Sequence, residues 1–111
     1  MTFKELKEML EAITIGQNPI PVAYDHFEEY PDFKVVPPFI LFRNNETFTL
    51  KADDNVHYQE DRYEIDLITD VKRDSSLEQQ LETILINNHL PYDKEADYIN
   101  DERIYQVRYF I

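Results

Sequence analysis

Strict alternation near the middle of the chain constrains the fold more than any other feature. Along residues 62–69, one set of side chains is mainly apolar, Tyr63, Ile65, Leu67 and Thr69, and the interleaved positions 62, 64 and 66 are charged: Arg62, Glu64 and Asp66. A period of two predicts a β-strand with one face in the core and the other in water. The chain must therefore build a sheet and cover one of its faces.

A helix near the start of the chain can provide part of that cover. Its apolar stripe has helical spacing and consists of Phe3, Leu6, Leu10 and Ile13. Thr2 and Glu5 have the spacing of a capping box, so we predict a helix from Thr2 to about Ile13. Gly16 is predicted to be its C-cap or to lie in the loop just past it. We interpret the stripe as core contact rather than as a partner-binding face.

A second helix follows the alternating segment. Ser75 and Glu78 repeat the capping-box spacing, which predicts a helix over about Ser76 to Asn88. Its apolar stripe is Leu77, Leu81, Ile84 and Leu85. Pro91 cannot continue this helix.

The remaining segments predict strands, turns and one loop. Asn44-Asn45 and Asp53 to Asn55 are turn signals, because Asn tolerates left-handed backbone, and residues 25–34 are predicted to be a loop. The apolar run at Phe39 suggests a strand covered on both faces. The predicted strands are Pro21–Tyr24, Phe39–Phe42, Phe48–Lys51, Val56–Tyr58, and the two arms of a C-terminal hairpin, Tyr92–Ile99 and Ile104–Ile111.

This order predicts an α+β fold with an antiparallel or mixed sheet. The N-terminal helix and the second helix are expected to pack on one face, and the chain closes with the β-hairpin. A length of 111 residues predicts one domain over residues 1–111. The apolar ending, Phe110-Ile111, is expected to be tied into the sheet or into an interface.

Composition excludes several function classes. The formal net charge is −12, which argues against unaided binding to nucleic acid or to an anionic membrane. The chain has no Cys, so it has no disulfides, thiolate metal sites or thiol nucleophile. One glycine cannot form a glycine-rich phosphate loop, and no apolar run approaches the ~20 residues of a membrane span.

Candidate catalytic and metal-ligating residues are sparse. His26, His57 and His89 are far apart in sequence, and helix capping accounts for Ser75. Asp53, Asn55 and His57 alternate and could in principle hold a hard metal, but they lack the spacing of a calcium loop, and a solvated turn is favoured. We therefore predict no catalytic centre and no metal site from these residues.

The acidic residues concentrate around the alternating strand. Residues 53–66 contain Arg62 as their one cation and six acids: Asp53, Asp54, Glu60, Asp61, Glu64 and Asp66. Two interpretations remain open. The acids can form a solvated sheet face, or they can form a surface that meets a basic partner or prevents unwanted pairing of strand edges.

The second half of the chain resembles a known family. The residues that carry the likeness are Ala52-Asp53, Tyr58, residues 62–67, Thr69, Lys72, Asp74, Leu77-Glu78, Glu82 and residues 98–109. Over residues 52–109 the sequence is similar to the tail terminator, or tail-completion, proteins of long-tailed bacteriophages and prophages, which are encoded in the head–tail joining region.

This resemblance implies a structural subunit of a virion. Such subunits form a ring, usually a hexamer, that caps the tail tube protein and joins it to the head connector protein. It implies no catalysis and no cofactor, a location at the head–tail interface of the virion, and assembly in the host cytoplasm. DNA would meet the protein only in passage through the lumen of the ring.

Two surfaces are candidates for these contacts. A ring needs a head-to-tail interface that closes by rotation, and exposed strand edges and the apolar C-terminus could supply it; the candidate residues are Tyr105, Tyr109, Phe110 and Ile111. The six acids of residues 53–66 could line a lumen and repel the phosphates of DNA.

The net charge also supports an alternative function. An acidic chain can act as a DNA mimic or inhibitor that occupies a basic site on a host protein. The ordered match of strand, capped helix and hairpin favours the tail terminator.

Overall fold

The computed structural model describes residues 3–24, 36–52, 55–70, 74–100 and 103–111, and for residues 45–52 and 55–61 the description is confined to the backbone. The elements in these residues are α1 (Phe3–Leu10), β1 (Thr14–Ile15), β2 (Asn18–Pro19), β3 (Val22–Tyr24), β4 (Phe39–Ala52), β5 (Asn55–Thr69), α2 (Ser75–Asn87), β6 (Asp93–Ile99) and β7 (Ile104–Phe110).

The strands form one main sheet and one small hairpin. The main sheet has five strands in the order β3-β4-β5-β7-β6, and β1 pairs with β2 separately. β3 runs parallel to β4, and the other neighbours in the main sheet are antiparallel. The predicted α+β class with a mixed sheet is confirmed, as is the C-terminal hairpin of β6 and β7. Neither of the described helices is long and apolar enough to cross a membrane.

Both helices pack on one face of the main sheet. The register places Leu67 opposite both Ile40 and Val107, and Ile65 opposite both Phe42 and Tyr109. These rows form the floor of the core, and the residues that pack on it from the helices and the following turn are Leu6, Leu10, Ile13, Leu77, Leu81 and Leu85. The predicted alternation and both helical stripes are therefore confirmed, except that Phe3 remains half-exposed.

The predicted turn at Asn44-Asn45 is wrong. β4 is one strand of 14 residues that includes these two positions, and its pairing with β5 shifts register between Asn44 and Glu46. Such a shift is a β-bulge, in which an extra residue is absorbed without ending the strand. The separate strands predicted at 39–42 and 48–51 are one strand, and those at 56–58 and 62–69 are one strand of 15 residues.

Two helix boundaries also differ from the prediction. Asp74 is the N-cap of α2, because its carboxylate accepts hydrogen bonds from the amides of Ser76 and Leu77 at 3.0 and 3.2 Å. Ser75 is therefore the first helical residue rather than the cap. Gly16 has φ of +61° and lies between β1 and β2, six positions after the last residue of α1, so it forms a hairpin turn rather than a helix C-cap.

Several predicted features lie outside the described residues. These are the cap at Thr2, the loop at residues 25–34, and the turn residues Asp53 and Asp54. The chain on either side of Asp53-Asp54 is described, and there Ala52 pairs with Asn55.

The β4–β5 hairpin extends well beyond its neighbours in the sheet. β3 pairs with Ile40–Phe42, and β7 pairs with Glu64–Thr69, whereas β4 and β5 stay paired to Ala52 and Asn55. We call residues 46–52 and 55–62 the arm. The radius of gyration is 15.7 Å, above the ~13 Å expected of a compact chain of this length. The protein is therefore elongated.

Candidate interaction surface

The structure describes four of the six acids that the sequence grouped together, and it places them in two different parts of the sheet. Asp53 and Asp54 lie outside the described residues. Glu60 and Asp61 belong to the arm, where their backbones pair with Phe48 and Thr47. Glu64 and Asp66 lie in the five-stranded part of the sheet. The four acids within the described residues are therefore divided between the arm and the five-stranded part of the sheet.

Asp66 corrects the prediction of a wet strand face. Its exposed fraction is 1%, and Nη2 of Arg43 donates to its Oδ2 at 3.0 Å. Glu64, whose side chain is 13% exposed, contacts Nη1 of the same arginine at 3.6 Å. Arg43 is the register partner of Glu64, so β4 brings a cation to both acids. In the single chain, Asp66 is therefore part of a buried ion pair and cannot contact a partner or DNA.

Burial also changes the titration of Asp66. Loss of water, together with a hydrogen bond and charge repulsion from the neighbouring Glu64, raises the pKa of Asp66 to about 7. The guanidinium groups of Arg43 and Arg108 act in the opposite direction. The Oδ1 atom of Asp66 is buried and has no hydrogen-bond partner among the described residues.

The exposed acids of this sheet face lie instead on β6. Glu95 pairs in register with Arg108, which in turn pairs with Asp66 on β5. Nη2 of Arg108 donates to Glu95 at 3.1 Å and also to Asp97. The side chains of Glu95 and Asp97 remain 60% and 58% exposed. The sequence did not single out these residues, because nothing local shows that β6 lies beside Arg108 at the edge of the sheet.

The four candidate interface residues have different environments. Tyr109 is fully buried, its hydroxyl donates to Glu82 at 3.3 Å, and its ring makes an edge contact with Tyr92 at 5.4 Å. Its assignment to a subunit interface is therefore wrong for the folded chain. Tyr105 is half-buried and packs on the ring of Tyr98, with 4.9 Å between centroids.

Phe110 and Ile111 remain partly accessible at the end of the sheet. The backbone of Ile111 exchanges two hydrogen bonds with Tyr63, at 3.0 and 3.4 Å. This confirms that the apolar ending is tied into the sheet. Phe110 pairs in register with Glu64 and Asp93, so it lies on the sheet face opposite the helices.

A second ionic cluster joins β6 to α2. Nζ of Lys94 lies 2.9 Å from Glu78 Oε1 and 3.3 Å from Glu82 Oε2, and Tyr92 donates to Glu82 at 3.0 Å. Burial lowers the pKa of Lys94 when taken alone, but the two carboxylates outweigh it, so the pKa is raised. Burial together with Glu82 raises the pKa of both Tyr92 and Tyr109. The cluster fixes β6 against the helix layer.

The outer edge of β6 is open in the described residues. Six of its seven residues are exposed, and its inner edge pairs with β7. Tyr63 and Ile111 exchange two backbone hydrogen bonds. Every second residue of β7, counted back from Ile111, therefore directs its N–H and C=O groups toward β5. The β7 residues between them direct these groups toward their register partners on β6, which are residues 93, 95, 97 and 99. The remaining residues of β6, Lys94, Ala96 and Tyr98, therefore direct their N–H and C=O groups outward.

The described residues contain no group of three His, Cys, Asp or Glu side chains that could hold a metal ion. Among the histidines, His89 is the one whose side chain is described, and it follows the end of α2 with φ of 57°. No protein-family model matches the sequence, and a search of curated proteins finds no match. The surface, the fold and the residues quoted above are therefore the basis for a functional proposal.

The buried Asp66 predicts a specific pH dependence of stability. Its folded pKa is raised from 3.8 to about 7, so the folded state holds the proton more tightly than the unfolded state. The stabilisation is complete below pH ~4 and is lost as pH rises to ~7. In urea unfolding at several pH values, Asp66→Asn should remove this decline in the free energy of unfolding.

Asp97→Asn is the matched control, because it neutralises an exposed carboxylate on the same face. This control variant should show the same decline in the free energy of unfolding with rising pH as the wild type. Parallel pH profiles for wild type and Asp66→Asn would contradict the assignment.

Proposed function

We propose that this chain is a non-enzymatic structural subunit of a bacteriophage or prophage virion, a tail terminator or tail-completion protein. Several copies form a ring, of six subunits by the family pattern, that caps the tail tube and joins it to the head connector. The observation that carries the proposal is a pair of dissimilar strand edges that are open among the described residues: β6 at one side of the sheet, and the arm, where β4 and β5 project beyond their neighbours.

Dissimilar edges suit a ring. A two-fold dimer joins identical patches, whereas a ring joins one surface of each subunit to a different surface of the next. β6 is a charged seven-residue edge, and the arm is a two-stranded ribbon that leaves the sheet. An isolated two-stranded ribbon is marginally stable in water, so the arm gains stability by packing against another chain.

The charge also supports this function. A channel that passes DNA works best when its wall does not bind phosphates, and acidic groups repel them. Glu60 and Asp61 lie on the arm, and with Asp53 and Asp54 they are the residues that we propose for the lumen. Asp66 is removed from this set because it is buried. In this proposal DNA is in passage only, and the protein acts in the virion after assembly in the host cytoplasm.

The direct test is electron microscopy of the purified protein mixed with tail tubes of the phage or prophage that encodes it. We expect rings and capped tubes. A monomer that leaves the tubes uncapped and displaces DNA from a nuclease would contradict the proposal and would instead support the acidic DNA mimic.

The lumen assignment has a separate test. The combined variant Asp53→Asn, Asp54→Asn, Glu60→Gln and Asp61→Asn should still form rings and cap tubes but should change the passage of DNA, measured as infectivity of the assembled particles. The matched control is Glu5→Gln with Glu8→Gln on the exposed side of α1. Unchanged infectivity of the fourfold variant would remove these acids from the lumen.

A further inference from the structure

The structure points to the contact that closes this ring. Resting on the function proposed above, we propose that the arm of one copy adds to the sheet of the next copy, with the outer edge of β4 pairing along the outer edge of β6. The occupant of the open β6 edge is thus a second copy of this chain, bound by strand addition through main-chain hydrogen bonds.

The β6 edge has a regular row of polar groups to offer. Lys94, Ala96 and Tyr98 direct their N–H and C=O groups away from β7, as the pairing of Tyr63 with Ile111 establishes. Lys94 is held by Glu78 and Glu82, so the edge is fixed before a partner arrives. A rigid edge reduces the entropy lost on binding.

Within the arm, β4 has an outer edge that can pair with the outer edge of β6. On its outer side, β4 is covered by β3 over Ile40–Phe42, and the hydroxyl of Tyr24 accepts from the amide of Asn44 at 3.2 Å. Beyond Asn44, residues 46–52 have no strand neighbour on that side among the described residues. The length of this edge, seven residues, equals that of β6.

Within the arm, charge favours β4 over β5 as the partner of β6. β6 carries three acids, Asp93, Glu95 and Asp97, and one cation, Lys94, whereas the arm portion of β5 carries Glu60 and Asp61 against Arg62 and has a net charge of −1. Like charges on adjacent strands are destabilising, so β5 is a poor partner for β6. Residues 46–52 of β4 carry one acid, Glu46, and one cation, Lys51, so this edge has no net charge.

The same reasoning excludes β6 pairing with itself. An antiparallel two-fold pair centred on Ala96 would place Glu95 opposite Asp97 of the second copy, twice. Both side chains are already on the open face beside a single Arg108. The edge therefore disfavours its own copy and favours a neutral or basic strand.

The alternation of the two strands also matches. On β6, Ala96 and Tyr98 alternate with Glu95 and Asp97, and Tyr98 is 39% exposed. On β4, Phe48 and Leu50 occupy alternate positions, with Thr49 and Lys51 between them. A parallel pairing places Ala96, whose polar groups point outward, opposite Phe48 or Leu50, whose polar groups point to β5. It thereby joins the apolar row of one copy to the Ala96 row of the next and the polar row to the acids.

The absence of native cysteine allows this pairing to be measured directly. Copies with Ala96→Cys are mixed with copies carrying Phe48→Cys or Leu50→Cys, assembled on tail tubes in high salt to screen the acidic charge, and oxidised. We expect a mixed disulfide from one of the two arm positions. The matched control, Thr49→Cys, is out of phase and should give at most about a tenth of that yield.

Ala96→Pro provides an independent readout. It removes an outward N–H but no bond to β7, and proline is tolerated at such a position of an edge strand. Circular dichroism should show a folded chain, and microscopy should show no rings. Ala96→Val keeps the outward backbone N–H at this position and should still form rings.

The outcomes separate this inference from the proposed function. Rings that form without the mixed disulfide, or that survive Ala96→Pro, would overturn the pairing and leave the ring intact. A disulfide between two Ala96→Cys copies alone would show that β6 pairs with itself and would also overturn it. A wild-type chain that forms no ring on tail tubes would overturn the proposed function itself.

Discussion

The antiparallel pairing of β4 with β5 is the interaction on which the rest of the structure depends. It sets Ile40 and Phe42 beside Leu67 and Ile65, which creates the apolar floor that both helices cover. It sets Arg43 beside Glu64 and within reach of Asp66, which allows an acid to be buried. Beyond the sheet, the same ladder continues as the arm. One strand pair therefore determines the core, the buried ion pair and the proposed contact between subunits.

The sequence predicted those features that are encoded locally. Both helices, the alternation of residues 62–69 and the C-terminal hairpin follow from spacing alone. The sequence could not predict the partner of each strand. Asn44-Asn45 resembles a turn, because turns and β-bulges both favour residues that tolerate unusual backbone angles. The long pairing of β4 with β5 makes this position a bulge. Asp66 resembles a solvated acid, because the cation that pairs with it is 23 residues away in sequence.

The acid excess of the chain serves different purposes in different places. Asp66 and Glu64 form an ion pair with Arg43, and Glu78 and Glu82 hold Lys94 and so brace β6 against α2. Glu95 and Asp97 remain exposed on the open edge of the sheet, where they oppose pairing of β6 with its own copy. The acids of the arm are left for the lumen in the proposed ring. In this account, some of the acids behind the net charge of −12 stabilise the fold, some oppose pairing of β6 with its own copy, and some repel DNA.

Hydrogen exchange measured before and after assembly tests the central claim most directly. In the monomer, the outward amides of the arm edge of β4, those of Thr47 and Thr49, and those of Lys94, Ala96 and Tyr98 should exchange rapidly. On assembly with tail tubes, both sets should become protected together, because each N–H gains a partner on the other copy. Assembly that leaves either set exchanging at its monomer rate would contradict the account.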